Sequence, residues 1–146
     1  PLTLVACDRD FLFDNSVESE LQGFYRRNRE TINQFLAPRR GASAPEYAMH
    51  IARELLANCV GEPTVTLIHR RAFADFGLFS PALAQKCDSE YWNRVAGAAG
   101  IAYVPETLAT FRVHAGATSS VNRASRMFRA VALDSLRAVF RGWCFR

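Results

Sequence analysis

The sequence predicts an α/β fold, a mixed sheet flanked by helices that ends in an amphipathic helix. Three observations carry that reading. Short β-branched or apolar runs alternate with helix-period stretches along the 146 residues, as in layered α/β chains. Residues 101–104 and 107–113 both read as strand, yet only Pro105 and Glu106 separate them. Parallel neighbours need a connection of roughly a dozen residues. These two runs are therefore an antiparallel hairpin or one bent ribbon, which makes the sheet mixed. Finally, 49% hydrophobic and 22% charged residues are the balance of an ordinary core-forming chain.

The elements follow in order. Residues 2–7 form an apolar run ending in charge and predict an interior strand. Residues 8–16 predict a loop, and 16–24 a short helical turn. Residues 37–45 hold Pro38, Gly41 and Pro45 and predict another loop. Pro45 or Glu46 opens a helix through Tyr47, Ile51, Leu55 and Leu56 that ends near Asn58. Past Pro63, residues 64–68 are rich in β-branched side chains and predict a strand. Residues 71–76 predict a short helix stopped by Gly77. Asp88 opens a helix through Trp92 and Val95, with Gly100 as its terminator. Residues 122–141 predict the last helix. Met127, Phe128, Val131 and Leu136 lie on one face, and Arg123, Arg126, Arg137 and Arg141 lie opposite.

The net charge of +4 is uneven. Residues 121–146 hold six Arg and one Asp, a local +5 that leaves the rest near −1. Such a tail is the solvated face of a helix, or it meets phosphates or an anionic membrane surface. Nucleic acid is not the expected partner, because aromatic residues are not interleaved with these arginines as a stacking platform requires. No apolar run approaches the roughly 18 residues of a membrane span. No signal-peptide pattern opens the chain, which begins at Pro1 in a buried strand and so reads as a piece of a longer protein. The four cysteines, Cys7, Cys59, Cys87 and Cys144, lack zinc spacing and predict free thiols in a reducing cytoplasm.

Three stretches set polar groups in apolar surroundings. Asn58-Cys59-Val60-Gly61-Glu62-Pro63-Thr64 joins a helix to a strand, and Gly61 permits close backbone approach. Gln85 to Trp92 places Asp88 at a helix start. There it is either an N-cap, a contribution of about 1 kcal/mol, or a base facing an acceptor hydroxyl. Phe111-Arg112-Val113-His114 ends a strand, with Arg112 and His114 on the same side. A guanidinium beside an imidazole suits diphosphate and metal chemistry, and an exposed strand end explains the pair equally well. Asp8-Arg9-Asp10 reads as an acidic loop after a strand, or as an acidic pair facing a metal, for which a single short triplet is a weak signal.

These stretches, in this order, resemble family-2 glycosyltransferases of the GT-A fold over residues 2–120. Residues 58–64 are similar to the family's N-x-I-G-x-P-S/T passage, followed by Leu67-Ile68-His69-Arg70-Arg71 and by Phe76-Gly77-Leu78-Phe79. Residues 85–95 resemble its Q-x-x-D-x-E-x-W-x-R block. Residues 104–114 resemble its V-P-E-x-L-x-x-F/Y-R-x-H ending. The resemblance implies a partial GT-A sheet in residues 1–120, with the basic helix of residues 121–146 appended. It implies inverting transfer of a sugar from a nucleotide-activated donor to a carbohydrate or lipid-linked acceptor. It makes Asp88 the catalytic base and His114 a ligand of a divalent metal, Mg or Mn. Asn58, Gly61 and Arg112 fall on the donor diphosphate, and Gln85 and Trp92 on the acceptor side. Where many relatives place Glu, this chain has Cys87. The expected location is the cytoplasm, at the inner face of the membrane. The nucleotide-binding first strand and metal-binding acidic motif are expected upstream of Leu2, so the piece alone is expected to be inactive, with one edge or face of its sheet left open. The competing expectation is a non-catalytic module that binds an anionic surface or nucleic acid through the final helix.

Overall fold

The computed structural model describes residues 2–54, 58–81, 83, 86–117 and 121. The final helix expected at residues 122–141 lies outside them, as do Gln85 and Cys144.

A four-stranded mixed sheet is the centre of the molecule, with strand β1 spanning Leu4–Phe13 and strand β4 spanning Ile101–Val113. These two long strands run parallel side by side. The short strands β2 (Gly41–Ala42) and β3 (Thr66–Ile68) are antiparallel edges, giving the order β2-β4-β1-β3. Residues 101–113 are therefore the bent ribbon, not a hairpin. Cys7 pairs with Val104, Asp8 with Thr107 and Arg9 with Ala109. Pro105, Glu106 and Leu108 are the extra residues that β4 carries past β1. Proline has no N–H to offer a ladder, so a bulge suits it.

Two elements exceed their sequence expectation. Strand β1 continues through residues 8–13, where a loop was expected. Helix α1 then runs Ser19–Leu36, where only a turn at residues 16–24 was expected. The buried side of β1 is Leu4, Ala6 and Asp8, and then Arg9, with Phe11 and Phe13 turned onto Tyr25 of α1. The inward set slips by one residue at the register shift, so neighbouring Asp8 and Arg9 are both buried.

The expected loop at residues 37–45 holds a 3-10 turn (Ala37–Arg39) and β2. Helix α2 follows at Ala44–Arg53. At its start the Glu46 carboxylate accepts the Ser43 backbone N–H at 2.9 Å and the Ser43 hydroxyl at 2.5 Å, the glutamate half of a capping box. A 3-10 turn at Pro63–Val65 leads into β3, so the expected strand is shorter than residues 64–68. Helix α3 (Arg71–Phe76) and helix α4 (Cys87–Ala99) match expectation, including the stops at Gly77 and Gly100. Arg94 clamps α4 to the end of α3, donating to the Phe76 and Leu78 carbonyls.

One core joins the helices to a single face of the sheet. Leu4 and Ala6 of β1 and Ile101 and Tyr103 of β4 meet Ile32 and Leu36 of α1. Tyr47 and Ile51 of α2 and Trp92 and Val95 of α4 complete it. On the opposite face Leu67 pairs with Val5, which pairs in turn with Ala102, and Leu67 is 72% exposed. Cys7, Cys59 and Cys87 are free thiols. Among the described residues no helix is long and apolar enough to cross a membrane.

Candidate functional site

Asn58 builds the turn that enters the site. Its Oδ1 accepts the backbone N–H of Val60 at 3.1 Å and of Gly61 at 2.8 Å, and its Nδ2 donates to the Gly61 carbonyl at 3.1 Å. Gly61 has φ 118°, where an L side chain is strained. A Cβ there would lie 2.9 Å from Arg9 Nη1 and 3.0 Å from Val65 Cγ2. Trp92, fully buried in the core, donates its indole N–H to the same Gly61 carbonyl at 3.1 Å. Three of the residues singled out in the sequence thus form one unit. Here Asn58 and Trp92 spend their polar groups on holding the turn to α4.

Asp88 stands in the first turn of α4. The N-cap position belongs to Lys86, which makes no side-chain cap, so Asp88 is not the capping residue its sequence position allowed. Its Oδ1 accepts the adjacent Ser89 N–H at 2.6 Å. Burial raises its carboxyl above the usual value, against the opposing pull of the Ser89 N–H, its own N–H and Lys86. Asp88 precedes Trp92 by four residues, one turn earlier on the same helix face. That places it beside the turn that Trp92 grips. Glu62, the next residue of that turn, is also raised, first by burial and further by Asp88, with Arg9 pulling the other way.

The polar centre behind this turn is what the sequence reading missed. Arg9 is 0% exposed. Its Nε lies 2.5 Å from Glu62 Oε2, its Nη2 donates to Asn28 Oδ1 at 3.0 Å, and Asn28 Nδ2 donates to the Asn58 carbonyl at 3.1 Å. Beside it, Asp8 accepts both arms of Arg29 at 2.9 and 2.7 Å, Asn33 at 3.1 Å and the Thr107 hydroxyl at 3.1 Å. Burial alone would raise the Asp8 carboxyl. Arg29 and the other donors outweigh it and hold Asp8 at about 2. The available signal was an Asp-Arg pair directly continuing an apolar strand.

Arg112 and His114 form a second station. Arg112 is exposed and donates Nε and Nη2 to the two oxygens of Asp14 at 3.2 and 3.1 Å. Arg112, and the nearby charge of His114, hold the Asp14 carboxyl below its usual value. Asp14 follows the end of β1, five residues beyond Arg9. Extended chain makes that about 16 Å. The structure therefore gathers Asn58, Gly61, Trp92 and Asp88 at one place and sets Arg112 near His114 with Asp14 at another. Among the described residues no three His, Cys, Asp or Glu side chains converge to hold a metal ion, and Asp14 is already engaged by Arg112. The chain matches no protein-family model, no curated protein and no solved structure.

Proposed function

We propose that this chain is the acceptor-side part of an inverting glycosyltransferase. It moves a sugar from a nucleotide-activated donor to an acceptor hydroxyl. The observation that carries the reading is Asp88: a half-buried carboxyl of raised proton affinity in the first turn of α4, one helical turn before the Trp92 that grips the Gly61 carbonyl. An inverting transfer needs such a group. The acceptor O–H proton passes to a carboxylate oxygen of Asp88 as the acceptor oxygen bonds to the anomeric carbon. The bond from that carbon to the donor phosphate breaks on the opposite side, and the nucleoside diphosphate leaves with the electron pair. The motif order of the resemblance supports the same assignment.

In this reading Arg112 and His114 serve the donor end. Arg112 must exchange Asp14 for phosphate oxygens, which a guanidinium fork suits. A divalent Mg or Mn would take His114 as a single ligand. The described residues do not complete its shell. The test is transfer by the full-length polypeptide against a panel of nucleotide sugars. Asp88→Asn is expected to cut kcat by about 10²–10⁴-fold, with donor affinity unchanged. Transfer at the wild-type rate in that variant overturns the proposal.

A further inference from the structure

An aromatic cluster on α4 has no part yet in the function proposed above. Tyr91 and Trp92 follow Asp88 by three and four residues, the two positions that neighbour it on a helix surface. Side chains there lean back toward the helix start. Phe79 packs on both rings. Its centroid lies 4.4 Å from that of Tyr91 and 5.7 Å from that of Trp92, which it meets edge to face. Phe79 therefore lies on the face of α4 that Asp88 opens, about one turn of helix along. Phe73 stacks on Tyr91 at 5.5 Å. Arg94 lies over the same ring at 4.9 Å and donates to both Glu90 oxygens at 2.8 and 2.9 Å and to the Leu78 carbonyl at 3.0 Å. The backbone beside Phe79 is thus fixed to α4. Exposure divides the rings. Trp92 is buried, with its indole N–H on Gly61, whereas Phe79 is 37% exposed and the neighbouring Leu78 is more so. Tyr91 is fully buried, and its hydroxyl completes no hydrogen bond among the described residues. An unpaired buried hydroxyl is costly and calls for an explanation.

Resting on the reading of Asp88 as the base, we propose that Phe79 is the stacking platform of the acceptor site and that the acceptor is a pyranose, with its C–H face on the Phe79 ring and one of its hydroxyls paired to Tyr91. A pyranose offers an apolar face and a polar rim together, which suits an aromatic surface with a few polar groups at its edge. The Tyr91 hydroxyl, enclosed in the free chain, gains its partner when the Phe79 side chain shifts to take the sugar, an adjustment of the kind side chains commonly make on binding. An acyl chain would cover the Phe79 ring equally well. It would also leave the Tyr91 hydroxyl and the Asp88 carboxyl desolvated without partners. The acceptor contact thereby moves from Trp92, where the motif resemblance put it, to the ring that lies on Trp92.

The experiment is an NMR titration of this chain with methyl glucopyranosides, galactopyranosides and mannopyranosides, and with 1-hexanol as the acyl-chain mimic. At least one pyranoside is expected to shift the Phe79 ring and Trp92 indole signals saturably. Phe79→Leu, which keeps apolar volume but removes the ring, and Tyr91→Phe, which removes only the hydroxyl, should each weaken that binding by about 3–10-fold. Tyr91→Phe should do so without lowering the melting temperature, which a merely structural hydroxyl would not combine. Slow hydrogen exchange at the Trp92 indole N–H checks that the Gly61 turn is intact in both variants. In the full-length polypeptide both should raise KM for the acceptor more than they lower kcat. No saturable shift with any pyranoside, shifts with 1-hexanol alone, or pyranoside binding that both variants leave unchanged overturns the platform. The titration needs no catalysis, so the two ideas fail separately. Pyranoside binding that depends on Phe79, with full transfer by Asp88→Asn, overturns the base assignment and leaves the platform standing. Transfer lost in Asp88→Asn, with pyranoside binding indifferent to Phe79 and Tyr91, does the reverse.

Discussion

At the scale of single residues, Asp8 and Asp88 show how environment divides two like side chains. Asp8 has four donor groups on its oxygens and is held at about 2. Asp88 is raised because burial outweighs the local backbone N–H groups and Lys86 that favour its charge. A depressed carboxyl stabilises the fold above its unfolded value near 3.9, and that contribution disappears as pH falls through about 2. For Asp8 it amounts to about 2 kcal/mol. Asp8→Asn is expected to lose about that much at pH 7 in urea unfolding and to flatten the curve between pH 4 and 2. Gly61 makes a second case. Gly61→Ala meets Arg9 and Val65 at a strained φ, so a loss of about 1–3 kcal/mol is expected. Thermal unfolding of the variant measures it. A loss under a few tenths would mean the turn has room to move.

At the scale of elements, the sequence reveals those whose inward faces are apolar and hides those whose inward faces are polar. Helix α4 was legible from Trp92, Val95 and its terminal Gly100, and α2 from Tyr47 and Ile51. Helix α1 was not. Its core-facing positions include Ile32 and Leu36, but one turn earlier they are Asn28, Arg29 and Asn33, which break the apolar period. Those side chains are inward because Asp8 and Arg9 oppose them. The same pair ended the apolar run of β1 and made residues 8–13 look like loop. Each element concealed the other, since a buried polar contact leaves no hydrophobic pattern on either partner. Of the candidate site, Asn58, Gly61, Asp88 and Trp92 were singled out by the motifs that carry the family resemblance. Arg9 and Glu62 were not, because their pairing joins positions far apart in the chain. The two-residue β2 was equally hidden. It depends on Gly41, where a Cβ would stand 2.2 Å from the Ile101 carbonyl oxygen. Gly41→Ala is therefore expected to detach this edge from β4. Hydrogen exchange at the Gly41, Ala42 and Ala102 amides should rise by more than tenfold while α4 stays protected.

At the scale of the whole molecule, the titrating groups work against one another, and that opposition yields a prediction about the proposed site. On the acid side, Asp8 loses its partners on protonation. His50, stacked on Phe35 with ring centroids 3.6 Å apart, is lowered chiefly by burial. Both contributions fade as pH falls through their folded values. Glu62 and Asp88 have the opposite sign. Raised in the folded state, each favours the fold fully below its unfolded value, near 4, and that advantage is lost as pH rises through the folded value. The molecule at neutral pH thus carries two carboxylates that its own packing disfavours, the pattern of a site kept for chemistry at the expense of stability. Asp88→Asn removes one of them. The difference in unfolding free energy between variant and wild type should be small at pH 3 and grow in favour of the variant as pH rises toward 7. Urea unfolding at closely spaced pH values reads this difference directly. A variant less stable than the wild type throughout that range would show that the Asp88 carboxylate supports the fold, and the case for it as a strained catalytic group would fail.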